Sequence, residues 1–139
     1  MRYLLDTNIL IFILLGKQKD ELSSEIRNII DDYSNIICTS SICVTELVQL
    51  YRIGKIKPKY KTAEAMVRAI ENEFYIEVLP FDKNHTKTLS KLQIIDGHND
   101  PFDHSIISHA ITDKLFLVSS DGKFDSYTPQ KLKFVYNKR

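Results

Sequence analysis

Cysteine, net charge and long apolar runs are all scarce in this chain, and each scarcity excludes a class of protein. Among 139 residues only Cys38 and Cys43 carry sulfhydryls. They have no second pair and no histidine at ligand spacing, which argues against a zinc site or a disulfide framework and suits a reducing cytosol. Lys and Arg number 19 against 18 for Asp and Glu, a net charge of +1. No global basic field exists to gather nucleic acid, so such a partner would need a local patch. Arg2 followed by apolar residues imitates a secretory leader, but Asp6 and Asn8 interrupt it. The unbroken apolar run 9–15 is too short to span a bilayer, and no small-residue cleavage site follows. A cytoplasmic protein without a membrane partner is expected.

What is present is ordinary globular composition, 43% hydrophobic and 27% charged. The length suits one domain over residues 1–139, large enough to bury a core without staples. Residues 2–5, 36–38, 76–79, 115–118 and 133–136 read as strands. Between them, helical periodicity runs through 9–15, 21–32, a segment from Ile42 to Tyr51, 63–72, a segment after Asp82 reaching Leu92, and a segment from Pro101 to Ala110. Strands alternating with helices, without repeat or linker, predict an α/β fold with a central, mainly parallel sheet covered on both faces. Ligands in such sheets bind beyond the carboxyl ends of the strands, where strand order reverses.

Four acids fall at that expected edge. Asp6 follows the first strand, Glu46 lies early in the helix after the second, Asp103 starts a helix, and Asp121 follows the 115–118 strand. Asp100 and Pro101 read as N-cap and first helical residue, which puts Asp103 at the third position, one turn from Asp100. Each acid has a bland explanation as a cap, a turn residue or a solvated helix residue. Together they pose a problem, because ionised carboxylates in one place raise one another's pKa and lose hydration. A hard divalent cation reverses that penalty, and Mg2+ or Mn2+ prefers oxygen donors. Such an ion polarises a phosphodiester and activates a water for in-line displacement. Acids without thiol or imidazole partners therefore favour phosphoryl chemistry, with Asp6, Glu46, Asp103 and Asp121 as metal and catalytic residues and Asp100 as an additional candidate. Thr7, Asn8 and Ser119 are placed to orient the acids or bound water, or else to cap the backbone locally.

Arg52, Lys55, Lys57, Lys59 and Lys61 occur with no acid among them, and the last four alternate, so an extended backbone puts those four on one face. They are the best local candidates for an RNA phosphate contact, with Tyr51 and Tyr60 available to stack on bases, although a solvated helix connection is the simpler explanation. His85, His98, His104 and His109 have no metal-motif spacing, and His98 and His104 are read only as residues at the edge of the acidic pocket.

With these residues in view, the whole chain resembles the PIN-domain ribonucleases, in particular the VapC-like toxins of type II toxin–antitoxin systems. Leu4-Leu5-Asp6-Thr7-Asn8 resembles the opening motif, and Val44-Thr45-Glu46-Leu47 carries the second acid. His98-Asn99-Asp100-Pro101-Phe102-Asp103 resembles the segment with the third acid, Asp103, and Ser119-Ser120-Asp121-Gly122-Lys123-Phe124 the closing segment, with Asp121 as the fourth. His104 stands where many relatives carry arginine, and Ser119 where many carry threonine. The resemblance implies a three-layer α/β/α fold, Mg2+- or Mn2+-dependent endonucleolytic cleavage of RNA, a homodimer, and a cognate antitoxin protein whose tail covers the acidic pocket. Two rival readings remain open at this stage. An aspartate-based phosphatase or phospho-receiver would also place Asp after strand one, although Asn8 occupies the position of the second aspartate that haloacid-type phosphatases need. A non-catalytic RNA- or protein-binding module would use the acids to hold a structural ion.

Overall fold

The computed structural model describes residues 1–138. Its centre is a five-stranded sheet in the order β3-β2-β1-β4-β5, with β1 at Arg2–Leu5, β2 at Ile36–Ser40, β3 at Glu77–Leu79, β4 at Phe116–Ser119 and β5 at Lys133–Tyr136. Every pairing is parallel: Leu4 sits opposite Cys38 on one side and Leu117 on the other. Leu4, Leu5, Leu117 and Val118 are completely buried, as a central parallel sheet covered on both faces demands. Each such side chain stabilises the fold by about 1.5–3 kcal/mol through removal of apolar surface from water.

Helices α1 (Thr7–Leu14), α2 (Gln18–Glu21), α3 (Ser24–Asp31), α4 (Ser41–Arg52), α5 (Ala63–Asn72), α6 (Lys83–Lys91) and α7 (Pro101–Asp113) complete a three-layer α/β/α arrangement. Most begin on a side chain that captures free amide groups. Asp6 caps α1, Ser40 caps α4, Thr62 caps α5, Asp82 caps α6 and Asp100 caps α7. The periodic segment 21–32 is not helical throughout. α2 ends at Glu21, where the segment begins, and occupies the polar stretch before it; Ser23 accepts the amide hydrogen of Ile26 and caps α3, so the helix of this segment starts only at Ser24.

One element has no counterpart in the periodicity. Gly122–Gln130 forms a 3-10 segment capped by Asp121, and its Phe124 and Tyr127 are fully buried. A 3-10 winding places residues three apart on one side, so Phe124 and Tyr127 anchor it without a 3.6-residue pattern.

The strand order decides where chemistry is possible. From β1 the chain crosses to β2 and β3 on one side, then returns to β4 and β5 on the other, so the order reverses between β1 and β4. Asp6 leaves β1 at that point, and its amide still donates to Val118 O on β4 at 2.9 Å.

Candidate metal centre

Asp6 is the most constrained acid of the group. It is only 4% exposed. Its Oδ1 accepts the Thr7 amide at 2.7 Å, and its Oδ2 accepts the Ser119 hydroxyl at 2.7 Å and the Asn8 side-chain amide at 3.3 Å. Burial nevertheless pushes its pKa up to about 7; the Ser119 and Thr7 hydrogen bonds oppose this, while the charges of Asp103 and Glu46 add to it. Asp6, Glu46 and Asp103 therefore share one electrostatic neighbourhood although they come from β1, α4 and α7.

Asp103 sits in the first turn of α7 with its side chain 23% exposed, and its Oδ2 lies 2.9 Å from His98 Nε2. Burial raises its pKa. The His98 hydrogen bond opposes that rise, and the charges of Asp100 and Asp121 reinforce it. Asp121 caps the 3-10 segment through the Lys123 amide at 2.9 Å, while its own amide donates to Ser119 Oγ at 3.0 Å. Asp100 accepts the amides of Phe102 at 2.9 Å and Asp103 at 3.4 Å through the same oxygen. Its role as helix cap is thus direct, and its charge also reaches Asp103.

The neighbouring polar residues divide their work. Asn8 donates to Asp6 Oδ2 and, at 3.2 Å, to Ser119 Oγ, and its Oδ1 accepts the Ser120 amide at 3.1 Å. Asn8 and Ser119 thereby tie the end of β1 to the end of β4. Thr7 contributes its backbone amide to Asp6, and its buried hydroxyl faces the Cys43 thiol.

This donor set fits a hard divalent cation. Asp6 feels the charges of Glu46 and Asp103, Asp103 feels those of Asp100 and Asp121, and Asp6 is held where its ionised form is costly until positive charge arrives. Both cysteine thiols are buried and raised, Cys38 to about 11 and Cys43 to about 12, first by loss of hydration, so neither offers a ready thiolate.

A second cluster lies toward the other end of α7. His85 Nε2 is 3.1 Å and His109 Nε2 is 3.2 Å from the Asp113 carboxylate, with the two rings 3.9 Å apart. Sequence spacing concealed it because His85 and His109 belong to different helices. Among the described residues, the ligand atoms of these three side chains lie close enough together to hold a metal ion. The Asp82 amide donates to His85 Nδ1 at 2.9 Å, so the ring's proton sits on Nε2, the atom a metal would need. Burial, with His85 close by, drives the pKa of His109 down to about 4 against the pull of Asp113.

The basic segment is exposed as its alternation predicted: Lys55, Lys57, Lys59 and Lys61 face outward, while Ile56 is buried and Pro58 and Tyr60 are half-buried between them. Arg52, at the end of α4, is exposed and donates to Gln49 Oε1 at 2.7 Å. Lys59 pairs with Glu73 at 3.1 Å. Tyr60 donates its hydroxyl to Glu73 at 2.7 Å, and Tyr51 donates to the Tyr60 carbonyl at 2.8 Å, so both rings brace this segment rather than standing free for stacking.

Comparison with known proteins agrees with this geometry. The PIN domain family model matches residues 3–128. No curated protein matches the chain. Among solved structures, a chain of VapBC2 from Rickettsia felis bound to a DNA fragment from their promoter aligns with TM-score 0.71 and 25% identity, covering 99% of this chain and 100% of that one. A chain of VapBC-1 from nontypeable Haemophilus influenzae aligns with TM-score 0.71 and 21% identity over 100% of both chains. A chain of DNA-bound VapBC from Salmonella typhimurium gives TM-score 0.71 and 22% identity, covering 99% of each. An all-parallel sheet whose order reverses beside a carboxylate cluster, and a family match over nearly the whole length, lead to one assignment: the chain belongs to the PIN domain family.

Proposed function

We propose that this protein is a metal-dependent endoribonuclease, the toxin of a toxin–antitoxin pair, in which Asp6, Glu46, Asp103 and Asp121 hold Mg2+ or Mn2+ and Asp100 lends its charge. The observation that carries the proposal is that buried Asp6, at the point where strand order reverses, feels the charges of Glu46 and Asp103, while Asp103 in turn feels that of Asp121. When bound, the cation supplies polarisation of the scissile phosphodiester and an activated water. The protein's own part is positional. Ser119 and Asn8 fix Asp6 Oδ2, the Thr7 amide fixes Oδ1, and the first turn of α7 carries Asp103, whose charge acts on Asp6. No protein nucleophile is needed. Asn8 stands where a haloacid-type phosphatase needs its second aspartate and is spent instead on hydrogen bonds to Asp6 and Ser119, which disfavours the phosphatase reading.

Lys55, Lys57 and Lys61 supply the phosphate-facing charge, with Arg52 beside them and Lys59 partly neutralised by Glu73. Similarity to chains of VapBC complexes supports a cognate antitoxin as protein partner; a homodimer is proposed only from the sequence resemblance to the family. No helix among the described residues is long and apolar enough to cross a membrane.

The test is cleavage of mixed RNAs by the purified chain with Mg2+, Mn2+ or EDTA. Wild type should cleave only with metal, and Asp6→Asn should lose cleavage while retaining the helical circular-dichroism spectrum. Full activity in Asp6→Asn, or equal activity in EDTA, sinks the proposal; RNA binding without cleavage would support a binding module instead.

A further inference from the structure

We propose that His98 is a positioning residue for Asp103: its ring holds one carboxylate oxygen so that the other is presented to the divalent cation, an inference that rests on the metal-dependent reading above. His98 Nε2 stands 2.9 Å from Asp103 Oδ2, which leaves Oδ1 outside that bond. The opposite ring nitrogen, Nδ1, is buried and has no hydrogen-bond partner. This asymmetry decides the tautomer. A proton on Nδ1 alone would be a buried, unsatisfied donor and would turn the Nε2 lone pair against a carboxylate; a proton on Nε2 makes a charge-assisted bond and leaves only an acceptor unpaired.

The ring cannot turn away from this task. His98 is 6% exposed and lies in a box of rings, with Phe124 stacked at 6.0 Å, Tyr127 edge-on at 5.4 Å and His104 edge-on at 5.1 Å between centroids. Its backbone is pinned too. Gly97 adopts φ +79°, a conformation side chains other than glycine's resist, and the next amide, of His98, donates to Ile95 O at 2.9 Å. His104 Nε2 donates to the His98 carbonyl at 2.8 Å, with the Tyr127 hydroxyl 3.3 Å away. His104 therefore points inward as a buttress. The terminal torsion of an aspartate is broad and close to two-fold, so an unclamped Asp103 would spread its oxygens over several orientations. Outer partners of this kind orient ligands and strengthen metal binding.

The experiment uses the full chain with Mn2+ alone as the probe. His98→Phe keeps a ring in the box and removes the donor, whereas His98→Gln carries an amide N–H toward the place of Nε2. The apparent Mn2+ dissociation constant, read from the paramagnetic resonance of free Mn2+, should rise about 10–100-fold in His98→Phe and largely recover in His98→Gln. In the unaltered protein, long-range proton–nitrogen correlation spectra of the imidazoles should place the His98 proton on Nε2. Mn2+ affinity like that of wild type in a folded His98→Phe protein, an Nδ1–H tautomer, or a wild-type chain that binds no Mn2+ overturns the proposal. RNA enters neither readout, so failure of the ribonuclease reading alone would appear as a Mn2+-binding chain that cuts no RNA.

Discussion

Asp6 combines two demands that conflict in the metal-free protein: its hydrogen bonds favour the carboxylate, while its burial favours the acid, and burial prevails. Because its pKa lies near 7 in the folded chain and near 3.8 when unfolded, the folded state binds more protons between those values. Stability must then fall as pH rises through that interval, and Asp103, raised in the same direction, adds to the trend. In EDTA, the stability of wild type relative to Asp6→Asn should decline by on the order of a few kcal/mol between about pH 4 and about pH 8. Urea denaturation of both proteins at the two pH values measures it, and a flat difference would remove the burial argument. Asp32, Glu73 and Asp82 shift downward through local hydrogen bonds and contribute the opposite slope in both proteins, so they cancel in the comparison.

Among the elements, α7 links folding to chemistry most directly. Asp100 closes its first turn through two amides, Pro101 occupies the position where a missing N–H does no harm, and the turn so formed carries Asp103. Replacing Asp100 with Ala should lower stability by about 1 kcal/mol, and Asp100→Asn, whose amide oxygen can still cap, should restore most of it. Equal denaturation midpoints for the Ala variant and wild type would deny the cap its role. The helix start was legible in Asp100-Pro101 because capping is local chemistry. The start of α3 at Ser24 was less legible, since the apolar spacing already begins at Leu22, before the Ser23 cap, and α2 lies in a polar stretch with no apolar period. The 3-10 segment escaped for the opposite reason. It has no long-range period, and its two anchors, Phe124 and Tyr127, gain their meaning from His98 and His104, which precede them by many residues.

At the scale of the whole molecule, near-neutral charge leaves RNA affinity to a local patch. With Lys59 tied to Glu73, the effective cations are Lys55, Lys57 and Lys61. In an Asp6→Asn background, which separates binding from cleavage, replacing those three lysines with Gln should weaken RNA binding about equally across sequences. It should also flatten the dependence of log affinity on log salt by about 0.7 for each phosphate that is no longer neutralised. Filter-binding titrations at several salt concentrations test this; an unchanged slope would assign the RNA path to another face.

By itself, the sequence determined the five strands and the starts of α4, α5, α6 and α7, because periodicity, capping and turn chemistry act over a few residues. The tertiary structure alone decided which groups meet. The reversal of strand order between β1 and β4 brings Ser119 and Asn8 onto Asp6. The packing of the 3-10 segment turns His98 from a residue at the pocket's edge into the partner of Asp103, and that of α6 on α7 joins His85 to His109. Hydrogen bonds and desolvation depend on distance in space, and chain separation carries no record of that distance until the core has formed.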